Sequence, residues 1–296
     1  MEKTFRKLQK ISGSFFVSLP KKWIENFDLG SKSLLGIDVR SDGTLRISPK
    51  HEQADTNLRE ELTLHSSPFI AREIVKHCLS GQTNIVVISD KEIDNDLRSE
   101  IRWLVNGLPN TEIIEDQRQR LVIQNFGYKN IPTKKLIQRL LYLIADMLEN
   151  IIGERVDDLK YNFDQLRKFY FILVTHIRTY LRTGIYVSED TDFTPLEAMD
   201  YRMFCEKLEE IGKILRDLRV NENVKELFLE INKYFNDVMN AYLKKDFVLA
   251  HKAWLRKDKL LERANNLSSN LDYEDKDKIK DMIRIAEKCK DMAAFI

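Results

Sequence analysis

Lys7–Trp23 reads KLQKISGSFFVSLPKKW, and the alternation of its apolar and basic residues decides the fold of the N-terminal part of the chain. Lys7, Lys10, Lys21 and Lys22 bracket an apolar run in which Phe15, Val17 and Leu19 alternate with Phe16 and Ser18. A period of two is that of a strand with one buried face. Ser12-Gly13-Ser14 ahead of it reads as a turn. Pro20 has no N–H for a ladder and closes the strand, and its fixed φ suits the start of a short helix through Trp23, Ile24 and Phe27, which Gly30 stops. Leu35, Ile37 and Val39 alternate again, Asp42-Gly43 is a hairpin signal, Leu45 and Ile47 form the returning strand, and Pro49 ends it.

Fewer than fifty residues of strand, turn, strand, short helix, strand, hairpin and strand cannot bury a core alone. The expected solution is a second copy that closes the strands into a shared barrel. At Gly13, Val17-Ser18-Leu19-Pro20, Lys21-Lys22, Leu29, Leu35/Ile37/Val39, Asp42-Gly43, Leu45 and Ile47 the segment resembles the AbrB/MazE/SpoVT swapped-hairpin family. It departs from that pattern at Lys32-Ser33, where the family usually has Gly-Asp. The resemblance implies a half-barrel completed by a homodimer that binds double-stranded DNA through basic residues on a two-stranded surface. Arg6, Lys7, Lys10, Lys21 and Lys22 are the candidate DNA contacts, and Phe15, Val17 and Leu19 the candidate dimer interface.

The chain has 296 residues and a formal charge of +1, so it is not a protein that coats nucleic acid as a whole. The charge is uneven: residues 1–50 hold ten Lys and Arg against five Asp and Glu, the concentrated positive field that phosphate attraction needs. Cys78, Cys205 and Cys289 are far apart, outside any CxxC, and read as small buried residues in a reducing compartment. Lys and Arg interrupt every apolar stretch, so no membrane span or insertion is expected. Met1–Lys10 is polar and basic with no apolar region behind it, which excludes a secretory leader. The expected location is the cytoplasm.

Three domains are expected: 1–50, 58–126 and 132–296, a multidomain α+β chain. After the polar linker PKHEQADTNL, the middle region reads as a strand over 61–65, a helix from Ser67-Pro68 to Ser80 with Gly81 at its end, and a fully apolar strand over 84–88. A helix carrying Leu97, Ile101, Leu104 and Val105 follows, then strands 112–114 and 121–123. That order, βαβαββ, predicts a small sheet with both helices on one face. No phosphate-cradling glycine loop is present. Beyond residue 132 only helical periodicity remains, in six segments over 133–152, 156–181, 194–218, 224–243, 247–267 and 272–295. Ile211–Asp217 (IGKILRD) is similar to Ile285–Asp291 (IAEKCKD), and Asp164-Gln165-Leu166 to Asp258-Lys259-Leu260, a weak repeat that suggests two three-helix units. With LRKFYFILV at Leu166–Val174 and PLEAMDYR at Pro195–Arg202, this tail resembles the PhoU family of phosphate-uptake regulators. Head and tail together resemble fused archaeal phosphate regulators.

The PhoU resemblance raises a metal cluster, held by acids spaced three apart in the second helix of each repeat and by further acids near the end of the third. Here those windows read Tyr161, Asp164, Arg167 and Leu255, Asp258, Leu261, with Lys213 and Glu287 at the third-helix ends. Hard cations need several converging oxygens, so no metal and no other cofactor is expected, and Asp164, Asp258 and Glu287 are the residues at which a residual site would stand. His51, His65, His77, His176 and His251 are never paired at metal spacing, and no nucleophile–base pair is visible; no catalytic residue is assigned and no enzyme is expected. The leading reading is a homodimeric transcription regulator of phosphate-transport genes whose tail receives a signal. The alternative is a signalling adaptor that docks on a phosphate transporter or sensor, its head serving dimerisation. An antitoxin is a third possibility, against which the long folded tail counts.

Overall fold

The computed structural model describes residues 5–39, 45–49, 61–127, 131–183, 193–269 and 271–296. The chain is mixed α+β and divides into two compact units, residues 1–60 and 61–296.

The first unit holds two antiparallel ribbons and one short helix. β1 (Gln9–Ile11) and β2 (Ser14–Phe16) pair with Gln9 opposite Phe16, Lys10 opposite Phe15 and Ile11 opposite Ser14. Ser12 (φ 47°) and Gly13 (φ 89°) are both left-handed, the two-residue turn whose twist matches the flanking strands. The strand expected to run through Leu19 therefore ends at Phe16. Val17 and Leu19 lie beyond it, in a stretch that leads to α1 (Lys21–Asn26), with Pro20 as its N-cap. β3 (Leu35–Val39) pairs with β4 (Leu45–Pro49), from Leu35 opposite Pro49 to Val39 opposite Leu45. The Asp42-Gly43 hairpin signal between them lies outside the described residues. Among the described residues the two ribbons form separate two-stranded sheets, and no barrel closes within one chain.

The second unit starts with a four-stranded sheet, β5 (Leu62–His65), β6 (Asn84–Ile88), β7 (Thr111–Asp116) and β8 (Arg120–Asn125), in the spatial order β5-β6-β8-β7. β5 runs parallel to β6 and the other pairs are antiparallel. The parallel step needs a crossover, supplied by α2 (Ile70–Cys78). α2 begins later than the Ser67-Pro68 signal because Pro68 and Phe69 form a turn first, with Ser67 Oγ accepting from the Phe69 N–H. Gly81 past its end has φ 87°, a conformation that disfavours any side chain. α3 (Asn95–Asn106) is capped by the Asp94 carboxylate, which accepts from the Asp96 and Leu97 N–H groups. Ile70, Ile74 and Cys78 of α2 and Ile101 and Val105 of α3 share one core with Ile85, Val87, Leu121 and Ile123, so both helices cover the same face of the sheet.

Six helices follow: α4 (Thr133–Ile152), α5 (Asp158–Thr183), α6 (Pro195–Asp217), α7 (Glu222–Lys244), α8 (Phe247–Ser268) and α9 (Tyr273–Ala293). Thr194 and Glu197 form a capping box ahead of α6, with Pro195 in its first turn. Asp246 and Asp272 cap α8 and α9. α4, α5 and α6 pack on one another, as do α7, α8 and α9, and the two triplets join through α6 on α9 and α4 on α7. The repeated segments Ile211–Asp217 and Ile285–Asp291 thus lie on the two helices that fasten the halves. Lys288 and Glu210 bridge them at 2.8 Å. Gly212 lets α6 pack closely on α5 and α4: a Cβ there would stand 2.2 Å from Leu166 Cδ2 and 3.2 Å from Ile144 Cδ1. At the start of α9 the buried Asp275 accepts from the Asn221 and Asn223 amides at 2.8 Å each, tying α7 to α9.

The sheet layer is not separate from the bundle. Leu79 and Phe171 pack into both hydrophobic cores, and Arg178 of α5 donates to Ser80 Oγ at 3.1 Å. Among the described residues no helix is long and apolar enough to cross a membrane.

Candidate nucleic-acid interface

The basic residues of the head rest on the ribbon and the short helix described above. Arg6 and Lys7 lie in the segment that enters β1, Lys10 is in β1, and Lys21 and Lys22 open α1; all five are exposed. Lys21 pairs with Glu25 at 3.6 Å, both side chains well exposed, an ion pair of the kind that contributes little and yields readily to a competing anion. The turn at Ser12-Gly13 fixes the register and places Lys10 opposite Phe15, its ammonium 5.8 Å from the ring centroid. Lys10 therefore shares a face with Phe15, while Phe16 points to the other face with Gln9 and Ile11.

Among the described residues of this unit no side chain is buried. Phe15 is 65 % exposed, Ile37 62 % and Leu45 63 %, and Phe16 and Val17 are each close to half exposed. Leu19, Trp23 and Ile24 are half-buried, with Trp23 and Phe27 in a tilted ring contact of 5.6 Å. Large apolar side chains left at this exposure are ones that a partner surface would cover. Of the candidate interface residues, Phe15 and Val17 are exposed and Leu19 is half-buried, and the candidate DNA contacts lie on the same ribbon, on the segment entering it and at the start of α1.

The residues at the metal windows of the tail do not fit a metal cluster. Asp164 lines a polar cleft with Trp103, Arg167 and Lys168, and the Arg167 guanidinium lies over the Phe163 and Phe171 rings. Tyr161 and Leu255, at two acid positions of the windows, are 65 % and 58 % exposed, and Asp258 is exposed on α8. Lys213 and Glu287 line one cleft between α6 and α9, and Arg284 and Lys288 share it. Burial would raise the Glu210 carboxyl there, yet hydrogen bonds from Lys288 and Lys207 hold it below its ordinary value. Lys207 and Lys288 thus hold the Glu210 carboxylate in ion pairs. Among the described residues no three His, Cys, Asp or Glu side chains converge to hold a metal.

The three thiols are buried, and burial pushes Cys78 up to about 12 and Cys205 and Cys289 higher still, which leaves them unreactive. Sequence reasoning did not single out Arg178 and Arg202, which line one pocket with side chains from α2, α5 and α6; only the folded arrangement of three distant segments brings them together. In comparisons with known proteins, no family model, no curated protein and no solved structure matches the chain.

Proposed function

We propose that this protein is a homodimeric DNA-binding regulator whose N-terminal head engages the phosphates of duplex DNA and whose helical tail receives the controlling signal. One observation carries the reading: the described part of the head buries no side chain, and both its basic residues Arg6, Lys7, Lys10, Lys21 and Lys22 and its large apolar residues such as Phe15, Ile37 and Leu45 are exposed. Pairing two heads would remove exposed apolar residues from water and double the positive surface under two-fold symmetry, the arrangement that meets a palindromic site. The resemblance of the head to the swapped-hairpin family and of the tail to PhoU supports regulation of phosphate-uptake genes.

The test is the salt dependence of duplex binding by the full chain. With about six to ten phosphate contacts per dimer, affinity falls by roughly 10³- to 10⁵-fold between 50 and 200 mM salt. Replacing Lys21 and Lys22 together by Ala weakens binding to all sequences and flattens that slope, while dimer mass and helix content stay unchanged. If the double variant binds as tightly as wild type at every salt concentration, the head serves dimerisation alone and the adaptor reading takes its place.

A further inference from the structure

The first half of α8 is inverted. Its buried side carries Ala250 and Ala253, while Phe247, Val248 and Leu255 are 72 %, 62 % and 58 % exposed and Trp254 38 %. These four, with the exposed His251 between them, recur at i, i+1, i+4, i+7 and i+8, which is one face of a helix. The large apolar side chains thus form a stripe on the solvent side, opposite the alanines that pack inward. Helix propensity does not account for them, because Phe, Val and Trp are poorer helix formers than the Lys or Glu that suits an exposed position.

Cations edge the stripe. Lys244 and Lys245 end α7 just ahead of it, Lys252 and Lys259 are exposed along α8, and Lys290 of α9 lies 4.7 Å over the Trp254 ring. Among the described residues no carboxylate stands within 4 Å of Lys244, Lys245, Lys252 or Lys259. Elsewhere in the bundle Lys207, Lys225, Lys278, Lys280 and Lys288 each hold one. Of the acids in this stretch, Asp246 caps α8 by accepting from the Leu249 N–H, and Asp258 stands one turn beyond Leu255.

An apolar stripe edged by unpaired lysines matches a partner that is apolar at the contact and negative around it. A second copy of the chain does not qualify, since two-fold packing would set the same lysines of both copies against each other. A partner helix seats in a groove between elements, whereas this stripe is carried by one helix, which a plane can cover. We infer that α8 lies on the surface of an anionic lipid bilayer, with Phe247, Val248, Trp254 and Leu255 at the acyl boundary and Lys244, Lys245 and Lys252 on the headgroups. Lysine stems lie along apolar surface while their ammonium groups reach the phosphates, and a tryptophan ring sits at that same level. The surface lies within residues 61–296 and does not rest on the DNA-binding reading.

The experiment is co-sedimentation of the full chain with vesicles of phosphatidylcholine alone and of phosphatidylcholine mixed with phosphatidylglycerol. The chain sediments with the mixed vesicles, less with the neutral ones, and binding weakens as salt rises. Lys244→Gln and Lys252→Gln each lower the partitioning by about 5-fold. Phe247→Ser with Leu255→Ser lowers it by at least about 10-fold. The inference is overturned if the mixed vesicles bring down no protein, if neutral vesicles bind as well, or if Lys21→Ala with Lys22→Ala abolishes binding that the α8 variants leave intact, which would assign the contact to the head. It is also overturned if Phe247→Ser with Leu255→Ser halves the mass of the chain in solution, which would make the stripe an interface between copies. Should that variant lose helix content by circular dichroism, fluorescence decides. With Trp23→Phe and Trp103→Phe, Trp254 is the one tryptophan left; quenching by brominated lipid upholds the assignment, and an unquenched signal refutes it.

Discussion

Gly212→Ala adds a single methyl group where α6 packs closely against α5 and α4. The new Cβ would lie 2.2 Å from Leu166 Cδ2, with Ile144 Cδ1 at 3.2 Å and Phe163 Cδ2 at 3.3 Å behind it. Leu166 and Ile144 are fully buried, so neither can swing into solvent and the packed core must absorb the shift of the Leu166 side chain. Overpacking of this kind costs about 1–3 kcal/mol, against which alanine in a helix gains about 1 kcal/mol over glycine. A net loss of about 1 kcal/mol follows, lowering Tm by about 2–4 °C for a unit of this size. Urea unfolding followed by circular dichroism measures it. The sharper test is the cycle with Leu166→Ala, which alone costs about 2–5 kcal/mol by leaving a cavity. In the double variant the added methyl enters the vacated space, so the combined loss falls short of the sum by more than about 1 kcal/mol. Additivity within about 0.5 kcal/mol, or a Gly212→Ala protein more stable than wild type, would refute the packing argument. The repeat supplies a control: Ala286 stands at the matching position of α9 and is buried. There Ala286→Gly destabilises simply by losing a methyl group and helix propensity.

Burial holds the His176 imidazole down at about 4 against an ordinary 6.5, so the unfolded chain takes up the proton first as pH falls. Stability is full above pH 6.5, declines toward pH 4 and is flat below, by about 3 kcal/mol in all; His176→Gln removes that part of the slope in pH-dependent urea unfolding. Asp275→Ala strands the Asn221 and Asn223 amides and lowers Tm, whereas an unchanged melting curve would show that the α7–α9 tie carries no stability. By light scattering at micromolar concentration the full chain has the mass of a dimer, and Phe15→Ser with Val17→Ser shifts it toward the monomer; a monomeric wild type would remove the premise of the DNA-binding reading.

The helices of the tail were legible because each carries a 3.6-residue apolar period between readable ends: Thr194-Pro195 before α6, Gly153 after α4, Asp272 before α9. The sheet layer was legible for a similar reason, with Asn84–Ile88 as an unbroken β-branched run and Gly81 and Gly107 closing the two helices. The end of β2 was not. The turn at Ser12-Gly13 fixes which residues pair, and pairing ends at Phe16, so the apolar alternation continues through Leu19 beyond the ladder. The same register puts Lys10 on the face of Phe15, which alternation within one strand cannot show. The arginine pocket was illegible because its walls come from residues 124 positions apart, from Leu79 to Met203.

Leu79 and Phe171 belong to two cores at once, and this has a bearing on cooperativity. A side chain counted in both cores cannot keep its packing on one side when the other melts. The four-stranded sheet and the six helices are therefore expected to lose structure in one calorimetric transition, as a single unit of local unfolding. Chain cut near residue 127 would expose the α2–α3 side of the sheet at Leu79 and give up the Arg178–Ser80 tie. Evolution acting on such a molecule cannot exchange the sheet layer like a bead on a string; a replacement would have to present the same apolar knob to α5.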